Sequence, residues 1–298
     1  MRCYEYARAL LDIGFVVDFF GLIEVSWLRQ HLDTSNIRVL EEVDDDYSLL
    51  VLDSYEQNYL LKVRNETRAR VVVQIADRNT PLLSDAYFIW LDTNLPEMEL
   101  GIQERVLLKG LAAFPTKKLC TTKVLADSAE DVLIVFGGSP KKEDIDSILE
   151  VVSKQRYDKI AFHVFAKFFD DNQVKKNFTF YPLGSRLSEV ASLCETVISG
   201  AGSSMWDFLA GKRHLGAVCL VANQEGNYKY ATEREMAVGL GNLGAGDSLD
   251  TDSIDRLLFD TNFRSQLVAN IPKDLDGKGA IRFTEQMLGL LNQPSENN

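Results

Sequence analysis

The sequence has few of the residues that build metal centres and disulfide frameworks. It contains four cysteines and three histidines in 298 residues, and none of them stands at a ligand spacing such as Cys-x-x-Cys. Cys194 and Cys219 lie among apolar residues and are predicted to be buried thiols. His163 is predicted to lie in a strand, and His31 and His214 are predicted to lie at the surface or in loops. We therefore expect no metal, no cofactor and no Ser-His-Asp triad.

Long apolar runs and an excess of positive charge are also missing. No run approaches the length of a membrane span, and the N-terminal residues lack the pattern of a signal peptide, so the simplest expectation is a cytoplasmic protein. The formal net charge of -12 argues against nucleic acid or an anionic membrane as the main partner. A small phosphorylated ligand remains compatible with this charge, because backbone N–H groups at helix N-termini can bind phosphate.

What the chain does contain is an alternation of apolar strand-like runs with amphipathic helical stretches, at a globular composition of 46% hydrophobic residues. This alternation is typical of parallel sheets covered by helices and predicts two α/β domains. Strands are predicted at residues 16–20, 47–53, 70–74 and 87–91, and then at 131–136, 159–165, 178–181, 196–199 and 217–221. Helices are predicted at residues 3–11, 56–66, 143–154 and 230–237. The predicted division is a first domain over 1–115, a linker over 116–130, a second domain over 131–291 and a tail over 292–298.

The strongest local signal is the glycine-rich segment that follows the predicted strand 196–199. Gly200 and Gly202 allow the backbone to approach a ligand closely. Ser203 or Ser204 is predicted to cap the next helix and to leave N–H groups directed at a phosphate. Asp207, one turn into that helix, could accept hydrogen bonds from a ribose. The competing interpretation is a plain strand-to-helix turn.

Phe136-Gly137-Gly138-Ser139 is a second glycine-rich strand exit, and Gly138 and Ser139 are predicted to accommodate a pyrophosphate. The segment lacks the Lys-Ser/Thr ending of a P-loop, which disfavours ATP or GTP hydrolysis. The stretch Gly239 to Gly244 has the letters of a dinucleotide-binding motif. It is predicted to follow a helix rather than a strand, however, and this disfavours dinucleotide binding.

Polar side chains follow two other predicted strands. Asn223 and Gln224 come after the strand at 217–221, where neutral amides could bind sugar hydroxyl groups. Asp53 ends the strand at 47–53 and Tyr55 follows it, so a carboxylate and a phenol lie at this strand exit. Each of these two signals is weak when taken alone.

Taken in order, these motifs resemble one family, the nucleotide-sugar hydrolases of pseudaminic acid biosynthesis (PseG) with the related spore coat polysaccharide protein SpsG. The resemblance covers nearly the whole chain. Its motifs are Asp53-Ser54-Tyr55, Ile75-Ala76-Asp77-Arg78, Phe136-Gly137-Gly138-Ser139, Ser188-Glu189-Val190-Ala191, the segment from Gly200 to Asp207, Asn223-Gln224, and the segment from Asp276 to Arg282.

This resemblance implies the GT-B fold of MurG-like glycosyltransferases, with two Rossmann-like domains facing a cleft. It implies a UDP-sugar hydrolase that releases UDP from an amino or deoxy sugar, without a metal, in surface polysaccharide or nonulosonic acid biosynthesis. Under the resemblance, Gly202, Ser203 and Ser204 hold the diphosphate and Asp207 holds the ribose. Asn223 and Tyr55 are the implied catalytic residues, and Asn223 and Gln224 are the implied sugar-binding residues.

The chain also departs from the family pattern. Ser54 replaces a histidine, and the family's N-terminal strand and Gly-x-Gly-His loop, whose histidine is the proposed general base, have no counterpart before Met1. We therefore expect the first strand of the first domain to be missing, and the exposed strand edges to favour self-association. Two alternatives stay open: a GT-B glycosyltransferase, and a catalytically impaired protein that only binds nucleotide sugars.

Overall fold

The computed structural model describes residues 2–23, 26–43, 46–77, 79–91, 100–116, 130–137, 140–167, 176–183 and 187–293. The chain divides into two compact units. The first contains residues Met1–Thr116 and Gly277–Asn298, and the second contains Lys117–Asp276. Across the described ranges, no helix is long and apolar enough to cross a membrane.

The first unit contains two parallel sheets. Its elements are α1 (Arg2–Asp12), β1 (Asp18–Phe20), α2 (Ser26–Thr34), β2 (Arg38–Leu40), β3 (Asp46–Leu52), α3 (Gln57–Glu66), β4 (Arg68–Ala76), β5 (Tyr87–Trp90), α4 (Leu100–Gln103), β6 (Val106–Lys109) and α11 (Gly279–Leu291). β1 pairs with β2, and a separate sheet has the order β3-β4-β5-β6. Each sheet has its own hydrophobic cluster, one with α1 and α2 and one with α3.

The central strand β4 shows why this sequence forms a covered parallel sheet. Its residues from Val71 to Ala76 are all buried, as expected for a β-branched strand with both faces covered. The buried Gln74 is satisfied within the unit, because its amide nitrogen donates to the carbonyl of Pro81 at 2.7 Å and its amide oxygen accepts from the N–H of Leu83 at 3.0 Å. A polar residue can therefore occupy this core strand without leaving unpaired groups.

Helix α11 packs in the first unit, whereas the predicted division placed residues 131–291 in the second domain. The rings of Tyr6 on α1 and Phe283 on α11 have centroids 4.4 Å apart. Gly279 approaches the turn before Thr116 so closely that a Cβ atom there would lie 1.9 Å from the carbonyl oxygen of Phe114. The first unit is therefore built from two separate stretches of the chain. The predicted linker, apart from Thr116 and Glu130, and residues 294–298 of the predicted tail lie outside the described residues.

The second unit is one six-stranded parallel sheet with helices. Its elements are β7 (Asp131–Val135), α5 (Lys142–Val152), β8 (Ala161–Phe165), β9 (Phe178–Tyr181), α6 (Leu187–Leu193), β10 (Thr196–Gly200), α7 (Ser204–Ala210), β11 (His214–Cys219), α8 (Glu225–Glu233), β12 (Val238–Asn242), α9 (Thr251–Phe259) and α10 (Thr261–Ala269). The strand order is β12-β11-β10-β7-β8-β9. Cys194 and Cys219 are buried in this unit, as predicted.

Two predictions about this sheet are wrong. The strand predicted at 217–221 is β11, which begins at His214. His214 was predicted to lie at the surface or in a loop, yet it lies in β11 in register with Thr196 of β10, and only 2% of it is exposed. The stretch Gly239 to Gly244 was predicted to follow a helix rather than a strand. It does come after a helix, α8, which ends at Glu233, and its first residues lie within β12, which pairs with β11.

Candidate functional site

The second unit has a reversal of strand order between β7 and β10. From β7 the chain continues to β8 and β9 on one side of the sheet, then returns to β10 on the other side and continues to β11 and β12. In open parallel sheets the loops that follow two such strands diverge and leave a crevice at the carboxyl ends. This edge of the sheet is the first candidate site.

The exits of β7 and β10 contact each other at this reversal. A Cβ atom at Gly200 would lie 3.6 Å from both the Cα and the carbonyl oxygen of Phe136, and 3.2 Å from Leu220 Cδ1. Gly137 has φ of 85°, a conformation that favours glycine. The glycines therefore let the exits of three strands approach one another. Gly138 and Ser139, predicted to accommodate a pyrophosphate, lie outside the described residues.

The serine cap expected before α7 is not formed at Ser203. Its φ and ψ angles of −60° and −32° are helical, and its side chain makes no capping hydrogen bond. A capping serine normally has an extended backbone, which brings its oxygen to the first N–H groups of the helix. The N–H groups of Met205 and Trp206 donate instead to the carbonyls of Gly202 and Ser203, at 3.1 and 3.2 Å. Ser203 is exposed, and Ser204 and Asp207 are partly exposed.

Amide side chains that follow β11 lie against the loop that follows β10, which contains Ala201 and Gly202. The oxygen Oε1 of Gln224 accepts from the N–H of Leu220 at 3.0 Å, and its nitrogen Nε2 lies 3.5 Å from the position of a Cβ at Gly202. Asn227, which the sequence did not single out, donates from Nδ2 to the carbonyl of Ala201 at 3.3 Å. Gln224 therefore has a structural hydrogen bond in addition to its predicted sugar contact. Asn223, in the turn before α8, is exposed.

The glycines of the segment Gly239 to Gly244 are explained by close packing. A Cβ at Gly239 would meet the hydroxyl of Tyr228 at 2.5 Å, and a Cβ at Gly244 would meet the carbonyl oxygen of Leu220 at 2.6 Å. These contacts hold β12 and the turn after it against α8 and the exit of β11. The glycines of this motif are therefore required by packing, and they lie within β12 and the turn after it rather than in a loop that follows a strand.

The first unit has a second candidate site, at the exits of β3 and β4. Arg2 forms a bidentate pair with Asp53, with Nη2 at 2.6 Å from Oδ1 and Nε at 3.1 Å from Oδ2. The guanidinium lies 3.7 Å from Asp77, and its Cζ is 5.9 Å from the ring centroid of Tyr55. The Tyr55 hydroxyl donates to Asp77 Oδ2 at 2.6 Å. We name Arg2, Asp53, Tyr55 and Asp77 the arginine cluster.

The other oxygen of Asp77 orders the loop after β4. It accepts from the N–H of Asn79 at 3.0 Å and from the hydroxyl of Thr80 at 3.1 Å. Because each oxygen of this carboxylate has hydrogen-bond donors, Asp77 holds the Tyr55 hydroxyl in a defined position.

Burial and neighbouring charges shift the pKa values of Arg2 and Tyr55 in the arginine cluster. Burial alone would lower the pKa of Arg2, but the Asp53 carboxylate raises it, and the net shift is upward. Burial, followed by the hydrogen bond to Asp77, raises the pKa of Tyr55. Burial, followed by the charge of Asp53, also raises the pKa of Cys3, whose sulfur lies 3.6 Å from Asp53 Oδ2. Cys3 therefore stays a thiol and is a poor nucleophile.

The sequence pointed to only part of this cluster. Tyr55 was predicted as a catalytic residue, whereas Arg2 and Asp77 were not among the predicted site residues. The available signal was their position, because Asp53 and Asp77 each follow a strand and such exits converge at one edge of a parallel sheet. Within the described residues, no group of three or more His, Cys, Asp or Glu side chains could hold a metal ion.

Comparison with known structures finds glycosyltransferases. MurG of Acinetobacter baumannii aligns over 97% of this chain and 95% of that chain, with 13% identity and a TM-score of 0.56. The calicheamicin glycosyltransferase CalG4 aligns over 99% and 95%, with 12% identity and a TM-score of 0.63. UGT89C1 of Arabidopsis thaliana, complexed with UDP-L-rhamnose, aligns over 97% and 95%, with 11% identity and a TM-score of 0.58.

At these identities the likeness concerns the fold. The chain has the GT-B fold, with two α/β units built on parallel sheets, and the predicted fold class is confirmed. Comparison with protein-family models and with curated protein sequences finds no match. The narrower resemblance to PseG and SpsG stays a prediction.

Proposed function

We propose that the protein is an enzyme of the glycosyltransferase class that uses a nucleotide sugar, with the nucleoside diphosphate bound at the glycine-rich edge of the second unit. The observation that carries the proposal is the contact between the exits of β7 and β10 at the reversal of strand order. Such an edge is the usual ligand position in open parallel sheets. The likeness in fold to a glycosyltransferase complexed with UDP-L-rhamnose supports the choice of ligand.

In this proposal the nucleoside diphosphate is the leaving group. An acceptor hydroxyl attacks the anomeric carbon, a new C–O bond forms, the bond to the diphosphate breaks with its electron pair leaving on the diphosphate, and the proton of the acceptor passes to water. The loop from Gly202 to Ser204 lies against the departing phosphates, and Asp207 accepts from the ribose. The exposed amide of Asn223 is suited to a sugar hydroxyl. No step requires a positive side chain at the phosphates, which agrees with the acidic composition.

A second candidate is hydrolysis, in which water replaces the acceptor hydroxyl. It is favoured by the arginine cluster, because this cluster joins the motifs Asp53-Ser54-Tyr55 and Ile75-Ala76-Asp77-Arg78 on which the resemblance to UDP-sugar hydrolases depends. The two candidates differ in product. Incubation with a panel of UDP-sugars, with and without acceptor alcohols, should give a glycoside in the first case and free sugar in the second.

We expect UDP at millimolar concentration to stabilise the protein against heat. If the concentration is about a hundred times the Kd, the stabilisation is about 2.7 kcal/mol, which corresponds to several degrees in Tm. Asp207→Ala should reduce this shift, because the ribose loses its acceptor. Asp252→Ala is the matched control, since Asp252 is exposed in the first turn of α9. An unchanged Tm with UDP in folded protein would contradict the nucleotide site.

Tyr55→Phe tests the arginine cluster separately from nucleotide binding. Loss of the hydroxyl that donates to Asp77 should lower turnover of the UDP-sugar by roughly 10- to 100-fold, as for a group that acts on the reacting centre. The thermal shift with UDP should stay within error of the parent. Tyr59→Phe serves as the control, since Tyr59 stacks on Phe20 outside the cluster. Equal turnover of the two variants would exclude a catalytic role for Tyr55.

A further inference from the structure

The first unit has a polar cavity at the amino ends of β4 and β5. Its volume is about 820 Å³, and it lies between helix α3 and the segment 82–85 that precedes β5. The arginine cluster lies at the opposite end of β4. Because β4 has nine residues and a strand rises about 3.3 Å per residue, the two places are roughly 25 Å apart along the strand. The cavity, which we name the α3 pocket, is therefore separate from the arginine cluster.

The wall of the α3 pocket formed by residues 82–85 is held in place by the sheet behind it. The N–H of Leu83 donates to Oε1 of the buried Gln74 at 3.0 Å, and Arg105 donates from Nη1 to the carbonyl of Ser84. A wall that is ordered before binding loses little conformational entropy when a ligand binds. This side of the pocket is therefore preformed.

Two arginines line the α3 pocket, although the chain as a whole has a net charge of -12. Nε of Arg64 lies 2.7 Å from Asp85 Oδ2, and its Nη1 donates to the carbonyl of Thr67 at 3.4 Å. These contacts orient the guanidinium of Arg64. Arg68 is exposed, and it has no ion pair or hydrogen bond in the described part of the chain. Since Asp85 balances only one of the two positive charges, the pocket can accept an anion.

Neutral hydrogen-bonding groups complete the lining of the α3 pocket. Thr67 is 2% exposed, and its Oγ1 has no hydrogen-bond partner among the residues that the structure describes. A buried hydroxyl without a partner is uncommon and points to a bound molecule. The amides of Gln57 and Asn65 and the residue Ser84 also line the pocket. These groups are suited to the hydroxyl groups of a ligand.

The two arginines favour a phosphate group over a carboxylate. A planar carboxylate is satisfied by one guanidinium, as Asp85 is by Arg64, whereas a tetrahedral phosphate can accept hydrogen bonds from two guanidinium groups on different sides. Arg64 lies in the last turn of α3, where the helix dipole is negative and opposes an anion. Binding should therefore depend on both arginines.

We propose that the α3 pocket is a binding site for a small sugar phosphate. Arg64 and Arg68 hold the phosphate. The amides of Gln57 and Asn65 and the hydroxyl of Thr67 bind the hydroxyl groups of the sugar. The volume of the pocket is within the range of about 300–1,000 Å³ that is usual for small-molecule sites. This inference is independent of the proposed enzymatic function.

The test is isothermal titration calorimetry of the full chain with glucose 6-phosphate. Arg68→Gln should raise the Kd by at least about 10-fold, because a charge-assisted hydrogen bond is lost. This variant should fold, since the Arg68 side chain has no partner among the described residues. Lys62→Gln is the matched control, because it removes the same charge from an exposed position of α3 that does not line the pocket. Its Kd should equal that of the parent.

Glucose and inorganic phosphate each lack one half of the probe, and both should bind at least about 10-fold more weakly than glucose 6-phosphate. Equal binding of inorganic phosphate or of glucuronate would overturn the proposed ligand class. The site itself would be overturned by the absence of binding at millimolar glucose 6-phosphate, or by an equal loss of affinity in Arg68→Gln and Lys62→Gln. Loss of binding in Asp207→Ala but not in Arg68→Gln would place the sugar phosphate in the second unit and would also overturn the proposal.

Discussion

Gly279→Ala is expected to destabilise the first unit by about 3 kcal/mol or more. The added Cβ would lie 1.9 Å from the carbonyl oxygen of Phe114 and 2.6 Å from its carbonyl carbon. Both atoms belong to the backbone of the facing segment, so no change of rotamer relieves the contact. Helix α11 must move away, and the packing of Phe283 on Tyr6 is then lost.

Gly289→Ala is the matched control on the same helix. A Cβ at Gly289 would have no atom within 4 Å, and the residue is exposed. Alanine at position 289 should raise the free energy of unfolding by up to about 1 kcal/mol. It lowers the conformational entropy of the unfolded chain and has a higher helix propensity than glycine. Urea unfolding followed by circular dichroism measures both changes. If the two variants unfold at similar urea concentrations, α11 does not pack against the segment that contains Phe114.

The stability of the second unit is expected to fall between pH 6.5 and pH 4 through His214. Burial, then the positive charges of Arg264 and Arg213, lower the pKa of this imidazole from 6.5 to about 4. Between these values the unfolded chain binds a proton that the folded protein does not bind, so acid favours unfolding. The loss of stability should reach about 3 kcal/mol at pH 4. The effect fades as the pH rises past 6.5 and is absent well above that value, where His214 is neutral in both the folded and the unfolded states.

The pH effect is measured as the difference between parent and variant. His214→Gln removes the titrating group, so the parent should lose more stability than this variant as the pH falls, whatever the other groups contribute. His31→Gln is the control, because it removes an exposed imidazole from α2 and should leave the pH dependence of stability like that of the parent. Parallel curves for the parent and His214→Gln, from urea midpoints at several pH values, would contradict the prediction.

The fold class could be predicted because buried parallel strands leave a strong pattern in sequence. The apolar runs that became β4, β7 and β10 were found within a few residues of their ends. The start of β11 was missed because Arg213 and His214 resemble loop residues. They are buried in a polar environment that includes Arg264, which donates to the carbonyls of Leu257 and Leu258 at 3.3 and 2.9 Å. Such a partner lies far away in sequence and leaves no local signal.

The same limit applies to α11 and to the candidate sites. Helical periodicity predicts an apolar face but not which unit covers it, and only the contact at Gly279 reveals the partner. The glycine-rich exits could be predicted as candidate sites because their residue types carry the signal, and their role in binding stays a prediction. The arginine cluster was recognised in part, since the pairing of Arg2 with Asp53 joins residues 51 positions apart.

The return of the chain to the first unit also has a consequence for synthesis. The second unit is inserted between the two stretches that form the first. During translation, the face of α1 that carries Tyr6 must wait for α11 until the whole second unit has left the ribosome. About 280 residues separate the end of α1 from the end of α11, so at ~5–20 residues per second this wait lasts roughly fifteen to fifty-five seconds. The second unit can therefore finish folding first, and the first unit offers an apolar surface to chaperones until its last helix arrives.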